Sequence, residues 1–159
     1  MKKIKLFCDS SVNPQSKIGI AAFLYYEDDF KSESKIYTKQ FEDTSSTKLE
    51  LQTFLWAVKE LVDFNNFEVY TDCQNIFSLL NRREKLEKNN YKTSTNKEVK
   101  NQILYKEFYE VIDKNKCEFI KVKGHKKSSE KDDIDKIFSR VDKASRRALR
   151  EYLNIASME

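Results

Sequence analysis

Two short apolar runs in the sequence each lead into an aspartate, a residue type that a buried strand rarely accepts. Asp9 ends the run that begins at Ile4, and Asp72 follows the run at 67–71. Burial of an unpartnered carboxylate costs several kcal/mol or more, so each aspartate must be hydrogen-bonded, paired or bound to a cation. We interpret Asp9 and Asp72 as candidate cation ligands at the ends of neighbouring strands.

Two further acids lie in register with apolar residues at the spacing of a helix. Glu50 shares its helical row with Phe54, and Asp142 shares its row with Phe138 and Leu149. Residues with this spacing lie on one helix face, so both carboxylates should point towards the core. Like charges that converge from several elements destabilise a fold unless a divalent ion compensates them.

These acids offer oxygen ligands alone: Asp9, Glu50, Asp72 and Asp142. Hard divalent cations such as Mg²⁺ and Mn²⁺ prefer such ligands. Two such ions, about 3.5–4 Å apart, hold the attacking and leaving oxygens when a phosphodiester is cleaved. The acids therefore predict a metal-dependent nuclease.

Each acid also fits an ordinary structural role, which the sequence leaves open. Asp9 fits a turn, and Asp72 fits the N-cap position of the helix that follows it. Glu50 fits the last position of a capping box. Asp142 fits an ion pair with Arg146, four residues further along a helix. The metal site is favoured because it accounts for all of these acids together.

The segments around the acids predict one α/β domain. Strands are expected at 4–9, 18–26, 34–41, 67–71 and 117–122, and helices at 47–63, 73–81, 103–112 and 134–153. Short links make the first three strands antiparallel, whereas strands that alternate with helices pair in parallel. We predict a five-stranded mixed sheet, flanked by helices, in a single domain over residues 1–159.

Composition and charge suggest a protein of the cytoplasm. The net charge is +4, a weak excess that favours polyanionic partners only slightly. The three cysteines, an odd number without close pairs, fit a reducing compartment. The N-terminal residues lack the apolar core of a secretory signal, and nothing approaches the about 20 apolar residues of a membrane span. We expect a monomer with no membrane attachment and no obligate protein partner.

Sequence motifs that contain the candidate acids resemble type 1 ribonuclease H. In chain order they are FCDSS at 7–11, SSTKLE at 45–50, YTDCQ at 70–74, KGH at 123–125 and VDKASRRAL at 141–149. Their order and approximate spacing match the family over residues 4–152. The resemblance implies endonucleolytic cleavage of the RNA strand of an RNA/DNA hybrid, leaving a 5′-phosphate and a 3′-hydroxyl.

The resemblance also implies roles for the candidate residues. The ligands of two Mg²⁺ ions in the substrate complex would be Asp9, Glu50, Asp72 and Asp142, and Mn²⁺ is expected to substitute. His125, the single histidine, would assist proton transfer or product release. The lysines around it favour its neutral form, which accepts a proton near pH 7.

Asp135 is a rival for the fourth ligand position. The interval from His125 to Asp142 is longer than the family's usual interval, and Asp135 lies nearer the customary distance. We prefer Asp142 because small residues, Ser145 among them, follow it in its helical row, whereas bulky Phe138 follows Asp135.

A nucleic-acid-binding surface is implied as well, with contacts to the 2′-hydroxyl selecting RNA over DNA. Ser10 stands where the family usually has glycine, and Ser46 and Thr47 stand where it usually has two asparagines. The implied contacts are Ser10, Asn13, Ser46, Thr47, Gln74, Arg82, Arg83, Lys85 and Lys88.

Residues 82–100, which we call the basic segment, hold seven Lys or Arg against three acids. Such a run is either a solvated linker or a phosphate-binding surface. It falls where many bacterial members of the family have a basic protrusion that grips the hybrid, although the tryptophans often found there are missing. We therefore predict a handle-like segment that binds the hybrid.

Two alternatives keep the fold and change the function. One is a nuclease of the same fold that acts on DNA; Ser11 counts against a proofreading-type exonuclease, which has a glutamate at that place. The other is a non-catalytic module that binds the hybrid, which the intact acids disfavour.

Overall fold

The structure, a computed structural model, describes residues 2–122 and 132–158. Within these ranges, helices flank a single sheet. The strands are β1 (Ile4–Asn13), β2 (Ile18–Glu27), β3 (Ser32–Glu33), β4 (Tyr37–Phe41), β5 (Asn66–Thr71) and β6 (Lys116–Lys121). The helices are α1 (Ser46–Glu60), α2 (Gln74–Lys88), α3 (Gln102–Lys114) and α4 (Asp133–Met158).

The sheet has the mixed topology that the sequence predicts. Its strand order is β3-β2-β1-β5-β6, and β4 also pairs with β2. β1 lies antiparallel to β2 and parallel to β5, and β5 lies parallel to β6. The antiparallel start and the parallel continuation are both confirmed.

The region predicted as one strand at 34–41 forms two separate pairings. β3 pairs with the end of β2, whereas β4 pairs with residues 19–23. Ser34 lies between them: its hydroxyl accepts the Tyr25 N–H at 2.8 Å, and its own N–H donates to the Tyr25 carbonyl at 2.8 Å. Because a side chain replaces a backbone partner there, the sheet in the described residues has six strands rather than the five expected.

β1 is buried on both faces of the sheet, as its apolar composition predicts. Leu6 packs into the cluster that contains residues of α1, α2 and α3, and Phe7 packs into the cluster beside α4. Each buried side chain of this size contributes about 1.5–3 kcal/mol. The polar residue that precedes Leu6, Lys5, pairs with Glu68 of the neighbouring strand β5 at 2.6 Å. This central strand carries Asp9.

α1 begins directly after its N-cap, Ser45, whose hydroxyl accepts the Lys48 N–H at 3.2 Å. Phe54 and Leu51 are fully buried against the sheet. The helix ends at Glu60, before the end predicted at residue 63, because the Leu61 N–H already closes the last turn.

Two helices extend further than predicted. α2 runs to Lys88 because Leu79 and Leu86, seven residues apart on one face, are both buried in the core. The first part of the basic segment is therefore helical. α4, with 26 residues, runs to Met158. Neither it nor any other helix in the described ranges has the length and apolar character needed to cross a bilayer.

Candidate active site

One cavity of about 870 Å³ lies where β1, the end of β5, α1 and α4 approach each other. We call it the acidic cavity because five carboxylates line it: Asp9, Glu50, Asp72, Asp135 and Asp142. The structure thus brings the acids predicted from the sequence, and the rival Asp135, to one place.

Strand pairing explains why Asp9 and Asp72 meet. β1 and β5 run parallel, and the last pair in their register joins Phe7 to Tyr70. Asp9 and Asp72 each follow that pair by two residues, so they stand at the same level along the sheet. Side chains two apart on a strand share a face, which places Asp9 on the face of Phe7, the face that α4 covers.

Asp9 has an electrostatic environment that resists ionisation. Burial raises the pKa of its carboxyl well above the ordinary value, and the charges of Asp72 and Asp142 raise that pKa further. A hydrogen bond from the Ser10 backbone N–H acts in the opposite direction. Two acids from other elements therefore lie close enough to repel the Asp9 charge, as the sequence predicts for converging carboxylates.

Glu50 is held by a thiol rather than by a helix cap. The Cys73 Sγ–H donates to Glu50 Oε2 at 3.0 Å. The N-cap of α1 is Ser45, so the capping-box role that Glu50 also fitted is not the one observed. Burial raises the pKa of Glu50, the Cys73 hydrogen bond lowers it, and the charge of Asp72 raises it.

Asp72 lies one residue before the N-cap of α2. That cap is Cys73, whose sulfur accepts the Ile76 N–H at 3.4 Å. Thr71 supports the same turn, since its hydroxyl accepts the Cys73 N–H at 3.1 Å. The N-cap role that Asp72 also fitted therefore belongs to its neighbour, and Asp72 lines the acidic cavity.

Asp135 and Asp142 both line the cavity, but their hydrogen bonds differ. The Asp135 N–H donates to Asp132 Oδ1 at 2.8 Å, and the Asp132 N–H donates to Asp135 Oδ2 at 3.3 Å. This reciprocal pair is a capping box at the start of α4. Asp142 instead accepts from Arg146 Nε at 3.0 Å and lies close enough to Asp9 to raise the pKa of that residue.

A small residue lets α4 approach the sheet beside Asp142. Ser145 is completely buried, and its hydroxyl lies 2.8 Å from the hydroxyl of Ser11 on β1. The Ser145 hydroxyl also donates to the Asp142 carbonyl at 2.9 Å. A larger side chain at this position would push α4, and Asp142 with it, away from β1.

The donor chemistry of the acidic cavity fits a hard divalent cation. All of its acids offer carboxylate oxygens, and the repulsion on Asp9 would be relieved by positive charge. In the described ranges, no three His, Cys, Asp or Glu side chains stand close enough to form a complete ligand set. Side-chain rotation would therefore have to complete such a set when an ion binds.

Of the predicted nucleic-acid contacts near the acids, some line the acidic cavity and the others lie outside its lining. Ser10 and Ser46 line the acidic cavity. Asn13 holds the turn after β1, where its Oδ1 accepts the N–H groups of Gln15 and Ser16, both at 3.0 Å. Gln74 Oε1 accepts from a lysine of β6 at 2.6 Å, and Thr47 is exposed in the first turn of α1. His125 lies outside the described residues.

The basic segment is folded, contrary to the linker interpretation. After α2, Tyr91 is buried in the core, and Lys92 bridges to Glu98. Arg82 and Lys85 line a hollow of about 720 Å³ beside this turn. Lys88, at the end of α2, is exposed and does not line that hollow.

Arg83, also predicted to contact nucleic acid, has internal partners. Its guanidinium donates to both oxygens of Asp113 on α3, at 2.7 and 2.6 Å, and to Glu87 at 2.6 Å. It also lies over the Tyr109 ring, 4.8 Å from the ring centre. These contacts join α2 to α3 and leave the nucleic-acid role of Arg83 as a prediction.

Three basic residues of α4 and one cysteine were not predicted as residues of this site. Lys143, Arg146 and Arg150 of α4 line the acidic cavity. Their spacing of three and four residues places them on one helix face, and this pattern could have identified them from the sequence. The place of Cys73 next to Asp72 in the sequence gives no sign of its contact with Glu50.

Comparison with known families identifies the sequence pattern around the cavity. The RNase H family model matches residues 1–143. The ribonuclease H of Clostridium botulinum is 29% identical over 142 residues, which cover 86% of this chain and 93% of the relative. The ribonuclease H of Caldicellulosiruptor saccharolyticus is 34% identical over 129 residues, which cover 79% of this chain and 86% of the relative.

The fold resembles that of at least one solved structure. It is the structure of the foamy viral protease-reverse transcriptase in complex with dsDNA, which superimposes with a TM-score of 0.61 at 11% sequence identity. The superposition covers 86% of this chain and 90% of that chain. At this identity the likeness concerns the fold alone.

Proposed function

The chain belongs to the ribonuclease H family, and we propose that it hydrolyses the RNA strand of RNA/DNA hybrids to leave 5′-phosphate and 3′-hydroxyl ends. One observation carries the proposal: four acids from β1, α1, the end of β5 and α4 line a single cavity. They are the acids of the family-like motifs, namely Asp9, Glu50, Asp72 and Asp142.

These four acids would hold two Mg²⁺ ions in the substrate complex, and Mn²⁺ would substitute because it accepts the same ligands. Bound divalent ions supply the positive charge that stabilises the attacking and leaving oxygens of a phosphodiester. The repulsion that Asp9 receives from Asp72 and Asp142 supports this assignment, because a cation among them would relieve it.

The chain itself contributes the carboxylates, and two of them have defined partners. Asp9 occupies the middle of the group, because both Asp72 and Asp142 act on its charge and the Ser10 N–H bonds its carboxylate. Cys73 holds Glu50 through the hydrogen bond from its thiol. These partners limit how far the two carboxylates would have to rotate when an ion binds.

Substrate recognition would use polar groups around the cavity. Ser10 and Ser46 line it and would contact the 2′-hydroxyls of the RNA strand; Asn13, Thr47 and Gln74 are proposed to extend this surface. The hollow beside Arg82 and Lys85 would bind phosphates of the hybrid, as the handle prediction requires. His125 is proposed to assist proton transfer or product release.

The test is cleavage of a labelled RNA/DNA hybrid by the purified chain, with Mg²⁺, Mn²⁺ or EDTA. We expect cutting of the RNA strand only with a divalent ion. Asp9→Asn and Asp72→Asn should each lose more than about 100-fold, beyond the about 10–100-fold typical of residues that only support a ligand. Asp63→Asn, an exposed acid outside the cavity, is the matched control.

Duplex DNA, duplex RNA and single-stranded RNA complete the substrate panel. Cutting of DNA but not of the hybrid would replace the proposal with a DNA-acting nuclease. Tight binding of the hybrid without cutting would indicate a non-catalytic module. Full activity of Asp9→Asn would refute the assignment of the acids.

We also propose that residues 1–159 act as one domain and as a monomer in the cytoplasm. In the described residues Cys8, Cys73 and Cys117 are free thiols, which supports a reducing compartment. Light scattering during size-exclusion chromatography tests the monomer: a dimer mass would contradict it.

A further inference from the structure

One wall of the acidic cavity is basic. Lys143, Arg146 and Arg150 project into the cavity lining from α4, and we call them the basic wall. They are three and four residues apart, so they share one face of the helix. The family model ends at residue 143, whereas α4 continues to Met158, so most of this wall lies beyond the part of the chain that the family pattern covers.

The guanidinium of Arg146 is held only weakly. Its single acidic partner in the described residues is Asp142, at 3.0 Å, and the two side chains are 55% and 28% exposed. An exposed pair four residues apart on a helix contributes about 0.3–0.5 kcal/mol. A stronger anion in the same cavity would therefore readily draw the guanidinium away.

Lys143 and Arg150 are exposed, and neither forms an ion pair with another part of the chain that the structure describes. Neither charge is therefore committed to a close ion pair with a described carboxylate. At a rise of about 1.5 Å per residue, their α-carbons lie about 10 Å apart along the helix. That separation lets the two side chains reach different phosphates of one strand.

The helix that carries the wall is anchored firmly. Arg140 donates to both oxygens of Glu33 at 2.8 Å and to the Tyr26 hydroxyl at 3.2 Å. One turn further on, the hydroxyls of Ser145 and Ser11 lie 2.8 Å apart. Because these contacts fix α4 to the sheet, the basic wall is presented in a set position relative to Asp9 and Asp72.

From these observations we propose that the basic wall binds consecutive phosphates of one strand of the RNA/DNA hybrid directly beside the cleavage site. The inference rests on the proposed function, since the hybrid is the substrate. Arginine fits this role because its planar guanidinium makes paired hydrogen bonds to a phosphate, and lysine adds a point charge. The acids at the floor of the cavity and the cations at its wall thus contact different parts of the same strand.

The test measures binding of a labelled RNA/DNA hybrid by fluorescence anisotropy in EDTA, across a series of salt concentrations. The variant is Lys143→Ala/Arg150→Ala, which leaves the Arg146–Asp142 pair in place. The matched control is Lys136→Ala/Arg147→Ala, which removes the same charge from exposed positions of α4 that do not line the cavity.

We expect the wall variant to bind about tenfold or more weakly at low salt. The slope of log affinity against log salt should fall by about 2, since each lost phosphate contact removes about 0.9. The control variant should keep the slope of the unaltered chain. Equal slopes in both variants would overturn the inference, because the wall charges would then act only through net charge.

Two further measurements distinguish a loss of phosphate binding from misfolding of the variant and from failure of the proposed function. Thermal melting reports whether the variants fold, and Lys143→Gln/Arg150→Gln, which keeps side-chain length, gives the same readout if the alanine pair melts early. Cleavage by the unaltered chain with Mg²⁺ tests the proposed function separately. If the unaltered chain cuts the hybrid but the wall variant has the same salt slope as the unaltered chain, the inference about the basic wall is refuted and the proposed function stands.

Discussion

A hydrogen bond of 3.0 Å from the Cys73 thiol to Glu50 Oε2 joins the start of α2 to α1. Cys73 is buried, follows Asp72 directly and caps α2 through the Ile76 N–H. One side chain therefore sets the position of Glu50 relative to Asp72. We infer that Cys73 is a positioning residue for two of the candidate metal ligands.

Removal of the thiol should weaken the site without unfolding the chain. Cys73→Ala leaves Glu50 free to rotate, and we expect the apparent Mg²⁺ affinity to fall by about 10–100-fold, as for other residues that orient a ligand. Cys73→Ser keeps a donor and an N-cap acceptor, so it should recover most of that loss. The measurement is kcat and KM for hybrid cleavage as a function of Mg²⁺ concentration.

Cys117→Ala is the control, because Cys117 is a half-buried thiol on β6 outside the acidic cavity. Its Mg²⁺ dependence should equal that of the unaltered chain. If Cys73→Ser and Cys73→Ala show the same Mg²⁺ dependence, the hydrogen bond to Glu50 has no part in positioning.

The buried charge of Asp9 should make the metal-free fold sensitive to pH. Burial and the neighbouring acids raise the pKa of Asp9 from 3.8 to about 9. Because the pKa is raised in the folded state, the protonated Asp9 carboxyl favours the folded chain over the unfolded one. This contribution to stability is complete below about pH 4, the unfolded-state pKa, and is lost as the pH rises towards 9. In EDTA the unaltered chain should therefore lose stability over this range.

Asp9→Asn isolates this contribution, since asparagine has the same shape and no charge. In EDTA we expect Asp9→Asn to melt at a higher temperature than the unaltered chain at pH 8, with the difference shrinking towards pH 4. Addition of Mg²⁺ should raise the melting temperature of the unaltered chain more than that of the variant. A difference between the two that is constant across pH would show that Asp9 ionises without hindrance.

Arg83 should contribute to stability rather than to hybrid binding. Its guanidinium bonds Asp113 and Glu87 and covers the Tyr109 ring, so Arg83→Ala removes contacts between α2 and α3. We expect a lower melting temperature with an unchanged salt dependence of hybrid binding. A fall in the salt slope caused by Arg83→Ala would restore its predicted role in nucleic-acid contact.

Arg82→Ala and Lys85→Ala are the matched comparison, because both side chains line the hollow of the basic segment. Each should lower the slope of log affinity against log salt by about 0.9 and leave the melting temperature nearly unchanged. The three variants remove the same charge from one helix, so they separate binding from packing.

The parts of the fold that follow from local patterns could be predicted from the sequence. The alternation of Leu6 and Phe7 between two apolar clusters comes from a strand that is apolar throughout. The meeting of Asp9 with Asp72 follows from the parallel pairing of two strands that carry an acid at the same distance from their last pair. Both inferences need only strand direction and register.

The features that the sequence did not reveal depend on contacts between distant segments. Arg83 looks like any other cation of a basic run until α3 places Asp113 beside it, thirty residues further along the chain. Cys73 has no visible role until α1 brings Glu50 to it. Ser34 breaks a predicted strand because its hydroxyl competes with the backbone for a partner, and propensity does not record that competition.

Asp135 and Asp142 should separate into a structural residue and a metal ligand. Asp135 closes a capping box with Asp132, and Asp135→Asn keeps an acceptor there while it loses the charge that complements the helix N-terminus. We expect a stability loss of about 0.3–1 kcal/mol, with Mg²⁺-dependent cleavage nearly unchanged. Urea unfolding and the hybrid cleavage assay measure the two effects.

Asp142→Asn should show the opposite pattern, because Asp142 acts on the charge of Asp9 and its partner Arg146 is exposed. The expected loss of cleavage exceeds about 100-fold, more than a supporting residue causes, and the stability in EDTA should rise slightly as repulsion on Asp9 is relieved. If instead Asp135→Asn abolishes cleavage and Asp142→Asn does not, the fourth ligand is Asp135. The Asp135 carboxylate would then serve both the capping box, through Oδ2, and the ion.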